Sequence, residues 1–243
     1  MRCLLLGGFT LLSRLCRSTA ASSGSFRNGC GGCNSQGAGQ PERFNFNRNT
    51  ILLDGMRFIV IDGMDGAGKD THAEFVRRRY AERGSVIVRT HPSDSLFGRV
   101  AKASLLRRGK FFHLMAAIFY FFDVIYSLLR YYGRAETVIF VRYLGGVLYL
   151  PERYARVLYR FFRSVLPTSP YMFYLEAEPE VCMERVARRS ESEMFENIED
   201  FRRVRERAFR ILKGWKFINT NRPIEETRRE IERILSELDR RFP

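Results

Sequence analysis

The stretch Ile59-Val60-Ile61-Asp62-Gly63-Met64-Asp65-Gly66-Ala67-Gly68-Lys69-Asp70-Thr71 decides how the chain is read. The β-branched run predicts a short buried strand and the glycines at 63, 66 and 68 a tight turn. Residues 69–83, with Ala73, Val76 and Tyr80 on one face, read as a helix. Glycines let the turn curl with its amide hydrogens inward, and the helix adds the positive end of its dipole at the same spot. Such a turn is a cradle for phosphate. Lys69 sets a flexible ammonium where it can reach the outer phosphates of a nucleotide. The spacing is G-x-x-x-x-G-K, and its one departure is Asp70, where Ser or Thr normally offers a hydroxyl to magnesium.

Around this stretch lie 243 residues, 45% of them hydrophobic, enough for one sizeable core and an appendage. The formal charge of +14 suits an anionic partner without choosing among nucleotide, nucleic acid and acidic membrane. Of five cysteines only Cys182 falls in the globular part, which excludes a disulfide framework and fits a reducing compartment. Residues 1–55 read as a separate basic, Gly- and Ser-containing extension, with Arg2, Arg14, Arg17 and Arg27 and no acid before Glu42. A transit peptide, a secretory signal and a disordered extension all fit it. The last is favoured, because Met56 directly precedes the first strand; cytoplasmic location follows, with an organelle as the alternative. Cys30 and Cys33 form a lone C-x-x-C pair, a weak zinc or redox signal.

Beyond the first helix, residues 85–89 read as strand two and residues 96–106 as a helix capped by Asp94 or Ser95. Residues 111–129 are nearly all apolar, long enough to be mistaken for a membrane span. His113, Tyr120, Asp123 and Ser127 share one side, which predicts a core helix lining a polar cleft rather than a lipid-facing rod. Residues 137–141 read as strand three, 148–162 as a helix and 171–175 as strand four. Pro179 opens a helix on which Arg185, Arg188 and Arg189 share a face by their spacing. Residues 190–197 are polar and read as mobile. A helix carrying Phe201, Val204, Ala208 and Leu212, a fifth strand over 215–219 and a terminal helix over 224–238 complete the chain. Strands alternating with helices predict an α/β fold of three layers, a five-stranded parallel sheet covered on both faces, with ligands at the strand carboxyl ends.

Over residues 56–238 the chain resembles the thymidylate kinase family of P-loop nucleoside monophosphate kinases. The resemblance rests on Gly63-Met64-Asp65-Gly66-Ala67-Gly68-Lys69, Pro92-Ser93-Asp94-Ser95-Leu96-Phe97-Gly98-Arg99, Arg142-Tyr143, Arg188-Arg189 with Glu193-Met194-Phe195-Glu196, and Ile218-Asn219-Thr220-Asn221-Arg222-Pro223-Ile224. It implies a kinase domain over 56–243 with a lid at about 185–198, ATP and magnesium as cofactors, and transfer of the terminal phosphoryl group to a nucleoside monophosphate, thymidylate first. It also implies site residues. Gly63 to Thr71, Lys69 above all, hold the donor phosphates, with Asp70 and Thr71 near the metal. Asp65 lies by the acceptor sugar and Arg142 clamps the acceptor phosphate. Arg188 and Arg189 supply catalytic charge, since Gly66 stands where some members carry a loop arginine, with Arg185 in support. Asn221 and Arg222 border the adenine. Asp65, His113, Tyr120, Asp123, Arg142 and Tyr143 are the acceptor-pocket candidates. A homodimer is one assembly open to the chain; neither nucleic acid nor membrane is an expected partner.

The sequence also departs from the family's pattern. Val141 replaces an Asp before Arg142, Val124 falls where an acceptor-binding Arg is expected, Thr90 and His91 replace an Arg-Glu pair, and residues 145–151 read as lacking the Ser, Tyr and Gln that usually close the acceptor site. The donor half therefore matches better than the acceptor half. Two departures can be linked: a carboxylate is lost at Val141 and one is gained at Asp70, as if it had changed sides of the metal; in the alternative, Asp70 is a helix-end charge and Thr71 serves the metal. A kinase for another monophosphate or nucleoside, a nucleotide-binding protein without turnover, and a basic nucleic-acid-binding module are the other functions compatible with these residues.

Overall fold

The structure, a computed structural model, describes residues 56–107, 109–188 and 198–242, apart from the side chains of Lys110 and His113. The extension, its Cys30 and Cys33, Arg189 and most of the expected lid lie outside the described residues. β1 (Arg57–Gly63), β2 (Val86–Thr90), β3 (Thr137–Val141), β4 (Tyr171–Glu176) and β5 (Lys216–Asn219) form one parallel sheet in the order β2-β3-β1-β4-β5. All five residues of β3 and all six of β4 are buried. Central strands of a parallel sheet are covered on both sides, which is why they read as continuous apolar runs.

Seven helices are described: α1 (Lys69–Ala81), α2 (Leu96–Leu105), α3 (Lys110–Tyr131), α4 (Glu152–Val165), α5 (Pro179–Ala187), α6 (Ile198–Ile211) and α7 (Ile224–Arg241). The strand order reverses direction after β2, so crossovers of the usual right hand put α1 on one face of the sheet and the helices between β2 and β5 on the other. α7 returns to the α1 face, and one carboxylate fastens it there. Asp239 accepts hydrogen bonds from Arg57, Arg79, Tyr80, Arg83 and Tyr171, joining β1, α1, β4 and α7.

Two local expectations are corrected. The helix read over 148–162 begins at Glu152; residues Gly145–Tyr149 form a 3₁₀ turn, and Pro151, lacking an N–H and disfavouring a helical residue before it, marks the start of α4. α3 is not wholly a core helix. Its polar residues Asp123 and Ser127 point inward and are fully buried, whereas Leu114, Ile118, Phe122, Tyr126 and Leu129 are exposed. Residues Leu114–Tyr131 are long and apolar enough to cross a membrane. The inversion has a local cause: Asp123 accepts from the Ser93 amide and from the Ser93 and Ser95 hydroxyls, so it must face the turn that follows β2. Ser95, not Asp94, caps α2, its hydroxyl accepting from the Gly98 amide at 3.0 Å.

Burial opposes the Asp239 charge, but hydrogen bonds from Tyr80 and Arg79 and the charges of Arg79 and Arg57 outweigh it and hold the carboxyl below 3.8. A lowered folded pKa gives stability that is present above the unfolded value and lost as the pH falls through the folded one. Asp239→Ala should therefore lower stability by about 2–3 kcal/mol at neutral pH. Melting curves should show a smaller further loss in the variant than in the parent between about pH 5 and pH 3.

Candidate active site

β1 runs straight into the glycine turn, and α1 starts at Lys69 behind Gly68, which sits in the left-handed region at φ 80°. The first-turn amides of α1 have no partner within the helix, so they face the turn's mouth as a positive rim. The Lys69 ammonium fills that mouth, donating to the Gly63 carbonyl (2.9 Å), the Met64 carbonyl (2.6 Å) and Asp65 Oδ1 (3.1 Å). The Ala67 amide closes the turn on the Met64 carbonyl.

Asp65 is where the two expected halves of the site meet. Its Oδ1 lies 3.1 Å from Lys69 and 3.4 Å from Arg142, and its Oδ2 accepts from the Tyr149 hydroxyl at 3.0 Å. Burial opposes this charge, but Lys69, Arg142 and the hydrogen bonds hold the carboxyl at about 2, ionised at any physiological pH. Burial pushes the Lys69 ammonium below its ordinary value while Asp65 pulls the other way. Tyr149 is a correction to the reading of residues 145–151: a tyrosine does close on the site from that segment, delivered by the 3₁₀ turn.

Arg142 stands just past β3 with φ 58°, a conformation that non-glycine residues seldom adopt and that costs roughly 1 kcal/mol or more. Both ends of its peptide are anchored: the Arg142 amide donates to the Ile61 carbonyl and the Tyr120 hydroxyl donates to the Arg142 carbonyl. The guanidinium is thereby aimed across the turn, at Asp65 and at Asp70, 3.8 Å away.

A residue that the sequence reading passed over holds this arrangement together. Asp62, 2% exposed, accepts from the amides of Tyr143, Leu144 and Gly145 on one oxygen at 3.0, 3.0 and 2.6 Å. Its other oxygen accepts from the Gly63 amide at 3.1 Å. A side chain at Gly145 would put its Cβ 2.2 Å from the Asp62 carboxylate, so only glycine allows the close approach.

The remaining expected residues are spread more widely. Arg185 bridges the Gly66 and Thr220 carbonyls as an internal strut, and Arg188 pairs with Glu184 in solvent. Arg188 caps α5 with its amide still donating to the Glu184 carbonyl, so the two arginines differ in what their side chains meet: one lies against the phosphate turn and the other in solvent. Gly66 has φ 81°, and a Cβ there would lie 2.4 Å from the Cys182 carbonyl, so α5 closes this position to any side chain. Asn221 accepts from the Glu178 amide, and Arg222 pairs with Glu230 and donates to the Asn219 carbonyl. Tyr143 is buried with its hydroxyl on the Pro167 carbonyl, and Asp123 is committed to the Ser93–Ser95 turn. Val141 and Val124 are buried in the apolar core. His91, fully buried, donates its amide to the Val141 carbonyl and sets Nδ1 3.3 Å from the same oxygen. His72, buried beside Gly68, is pushed down to about 4 by burial and by the nearby Arg228 and Arg185, so it is neutral at pH 7.

A parallel sheet with the phosphate turn on its central strand, a lysine in that turn and an arginine facing it from the next strand defines a P-loop phosphotransferase. Comparison with known proteins gives the family. A model described as thymidylate kinase matches residues 61–231. The probable thymidylate kinase of Archaeoglobus fulgidus is 27% identical over 187 residues, 73% of this chain and 93% of that protein. The probable thymidylate kinase of Pyrobaculum aerophilum is 24% identical over 76% of this chain and 99% of its own length. The thymidylate kinase of Neisseria gonorrhoeae is 26% identical over 74% and 96%. Among solved structures, a thymidylate kinase from Candida albicans shares the fold with a TM-score of 0.60, covering 76% of this chain and 92% of that one at 14% identity. The chain belongs to the thymidylate kinase family, and so to the ATP-dependent nucleoside monophosphate kinases.

Tyr120→Phe frees the Arg142 carbonyl without touching the guanidinium. The expected result is an acceptor KM raised by about three- to tenfold with kcat little changed, as for loss of one neutral hydrogen bond in a positioning role. Steady-state kinetics with the acceptor varied measure the split.

Proposed function

We propose that the chain transfers the γ-phosphoryl group of ATP to thymidylate, giving the diphosphate and ADP. The observation that carries this reading is the convergence on Asp65: Lys69 approaches from the donor side at 3.1 Å and Arg142 from the acceptor side at 3.4 Å. In this reading the two cations on one carboxylate stand where donor and acceptor phosphates would come face to face. Phosphoryl transfer needs little else than such alignment and neutralised charge.

In this reading Lys69 exchanges the Gly63 and Met64 carbonyls for the outer phosphate oxygens, and the amide rim of α1 holds the rest of the triphosphate. Arg142, aimed by its anchored peptide, takes the acceptor phosphate. Asp65, kept ionised, accepts from the acceptor sugar, with Tyr149 fixing its orientation and the Tyr120 ring beside the base. Arg188 and Arg189 bring the lid's charge. Asp70 and Thr71, exposed on the first turn of α1, are hard oxygen donors of the kind magnesium takes alongside phosphate oxygens and water, so the residues fit that cation. When bound, magnesium neutralises and orients the phosphates. A second acceptor is favoured by one observation: Val124, 2% exposed in the core, offers the acceptor no charge from α3. That would widen the choice of base without altering the phosphate chemistry.

ADP release from ATP and magnesium with a panel of thymidine, deoxyuridine, uridine, cytidine, adenosine and guanosine monophosphates tests both. Thymidylate should give the highest kcat/KM, and Lys69→Ala should lower turnover by about 10²-fold or more. A panel in which no monophosphate releases ADP overturns the proposal.

We also propose that the uncovered face of α3 meets a second copy of this chain. From Phe111 to Leu129 the only charged residue is Asp123, which faces inward, so two strongly basic copies can join there without opposing like charges. Sedimentation should find a dimer, and Phe122→Glu should yield monomers that keep the parent's circular-dichroism spectrum. A monomeric parent protein at tens of micromolar rules this out.

A further inference from the structure

The end of β3 offers the phosphates no carboxylate. Val141 is fully buried and its carbonyl is covered by the His91 amide and ring. The nearby acid, Asp62, is spent on four backbone amides. Asp65 has both oxygens engaged, by Lys69, Arg142 and Tyr149. Asp70 differs from all of these. Its side chain is 55% exposed, and among the described residues its carboxylate has no hydrogen bond and one ion-pair partner, Arg142 at 3.8 Å. It thus stands on the first turn of α1, on the side of the mouth that Arg142 faces.

A carboxylate in that position has a definite electrostatic effect. Against bare ATP it places a negative charge at the helix end that must receive phosphates, weakening the amide rim. Against ATP that carries a divalent cation it becomes an attractive hard ligand, because magnesium readily adds one carboxylate to phosphate oxygens and water. A neutral hydroxyl there would do neither.

We propose that Asp70 supplies the divalent cation of the metal–ATP complex with the carboxylate missing at Val141, so that the site rejects metal-free ATP and admits the metal complex. This rests on the kinase reading above. It gives Asp70 two roles at once, as a ligand and as a gate that makes nucleotide affinity depend steeply on the metal.

The test is equilibrium binding of a non-hydrolysable ATP analogue by calorimetry, with excess magnesium and with EDTA, for the parent, Asp70→Asn and Thr71→Val. The ratio of the two affinities should fall by about tenfold or more in Asp70→Asn, with tighter binding in EDTA and weaker binding in magnesium. With Mn2+ as the probe metal and ADP present, EPR of the free ion should show less Mn2+ retained by Asp70→Asn than by the parent. If Asp70→Asn tightens binding equally in both conditions, Asp70 is only a helix-end charge and the inference fails. If Thr71→Val lowers the ratio and Asp70→Asn does not, the hydroxyl is the ligand and the inference fails. A parent protein that binds no analogue under either condition overturns the kinase reading itself, a result distinct from both.

Discussion

The site depends on one buried carboxylate meeting the amides of a loop that is remote in sequence. Asp62 is the last residue but one of the central strand, and the three amides it gathers belong to residues 81 to 83 positions further on. Without that clasp, the phosphate turn after β1 and the arginine after β3 would belong to two independent loops. With it, their separation is set by hydrogen bonds of 2.6 to 3.0 Å in a dry environment, where such bonds are stiff and costly to break. The positive φ of Arg142 is tolerable for the same reason: its neighbours on the C-terminal side are held by Asp62 and its own peptide is held by Ile61 and Tyr120.

Much of this architecture is legible in the chain. The five strands announce themselves as β-branched and aromatic runs, most plainly β3 and β4, whose residues are all buried, while β2 and β5 at the edges of the sheet are only partly so. The phosphate turn is visible because its chemistry demands glycine and lysine at set intervals. The hidden parts are those in which a side chain finds its partner through the fold. Asp62 reads as the polar end of a strand, and nothing local reveals that its partners follow β3. Tyr149 escaped attention because the segment was compared with a pattern of neighbouring residue types, whereas a 3₁₀ turn brings its hydroxyl to Asp65. The three arginines near 185 looked equivalent by spacing, yet of the two that are described Arg185 finds the Gly66 and Thr220 carbonyls through the fold, while Arg188 stays with Glu184 in solvent.

α3 shows how periodicity can be read correctly and oriented wrongly. Asp123 and Ser127 do share one side, as the spacing predicts, but that side is the interior, because Asp123 has more to gain from three donors in the Ser93–Ser95 turn than from water. The apolar residues opposite are then left outside. Amphipathicity defines two faces; which one is buried depends on what the rest of the molecule can offer each of them.

The contact between Gly66 and the carbonyl of Cys182 limits where this enzyme could have evolved. An arginine built into the phosphate turn and an arginine reaching it from a neighbouring element are two ways in which a cation could be brought there, and this backbone leaves no room for the first. A lineage starting from here could not trade one solution for the other by a single substitution, since the helix would first have to be displaced.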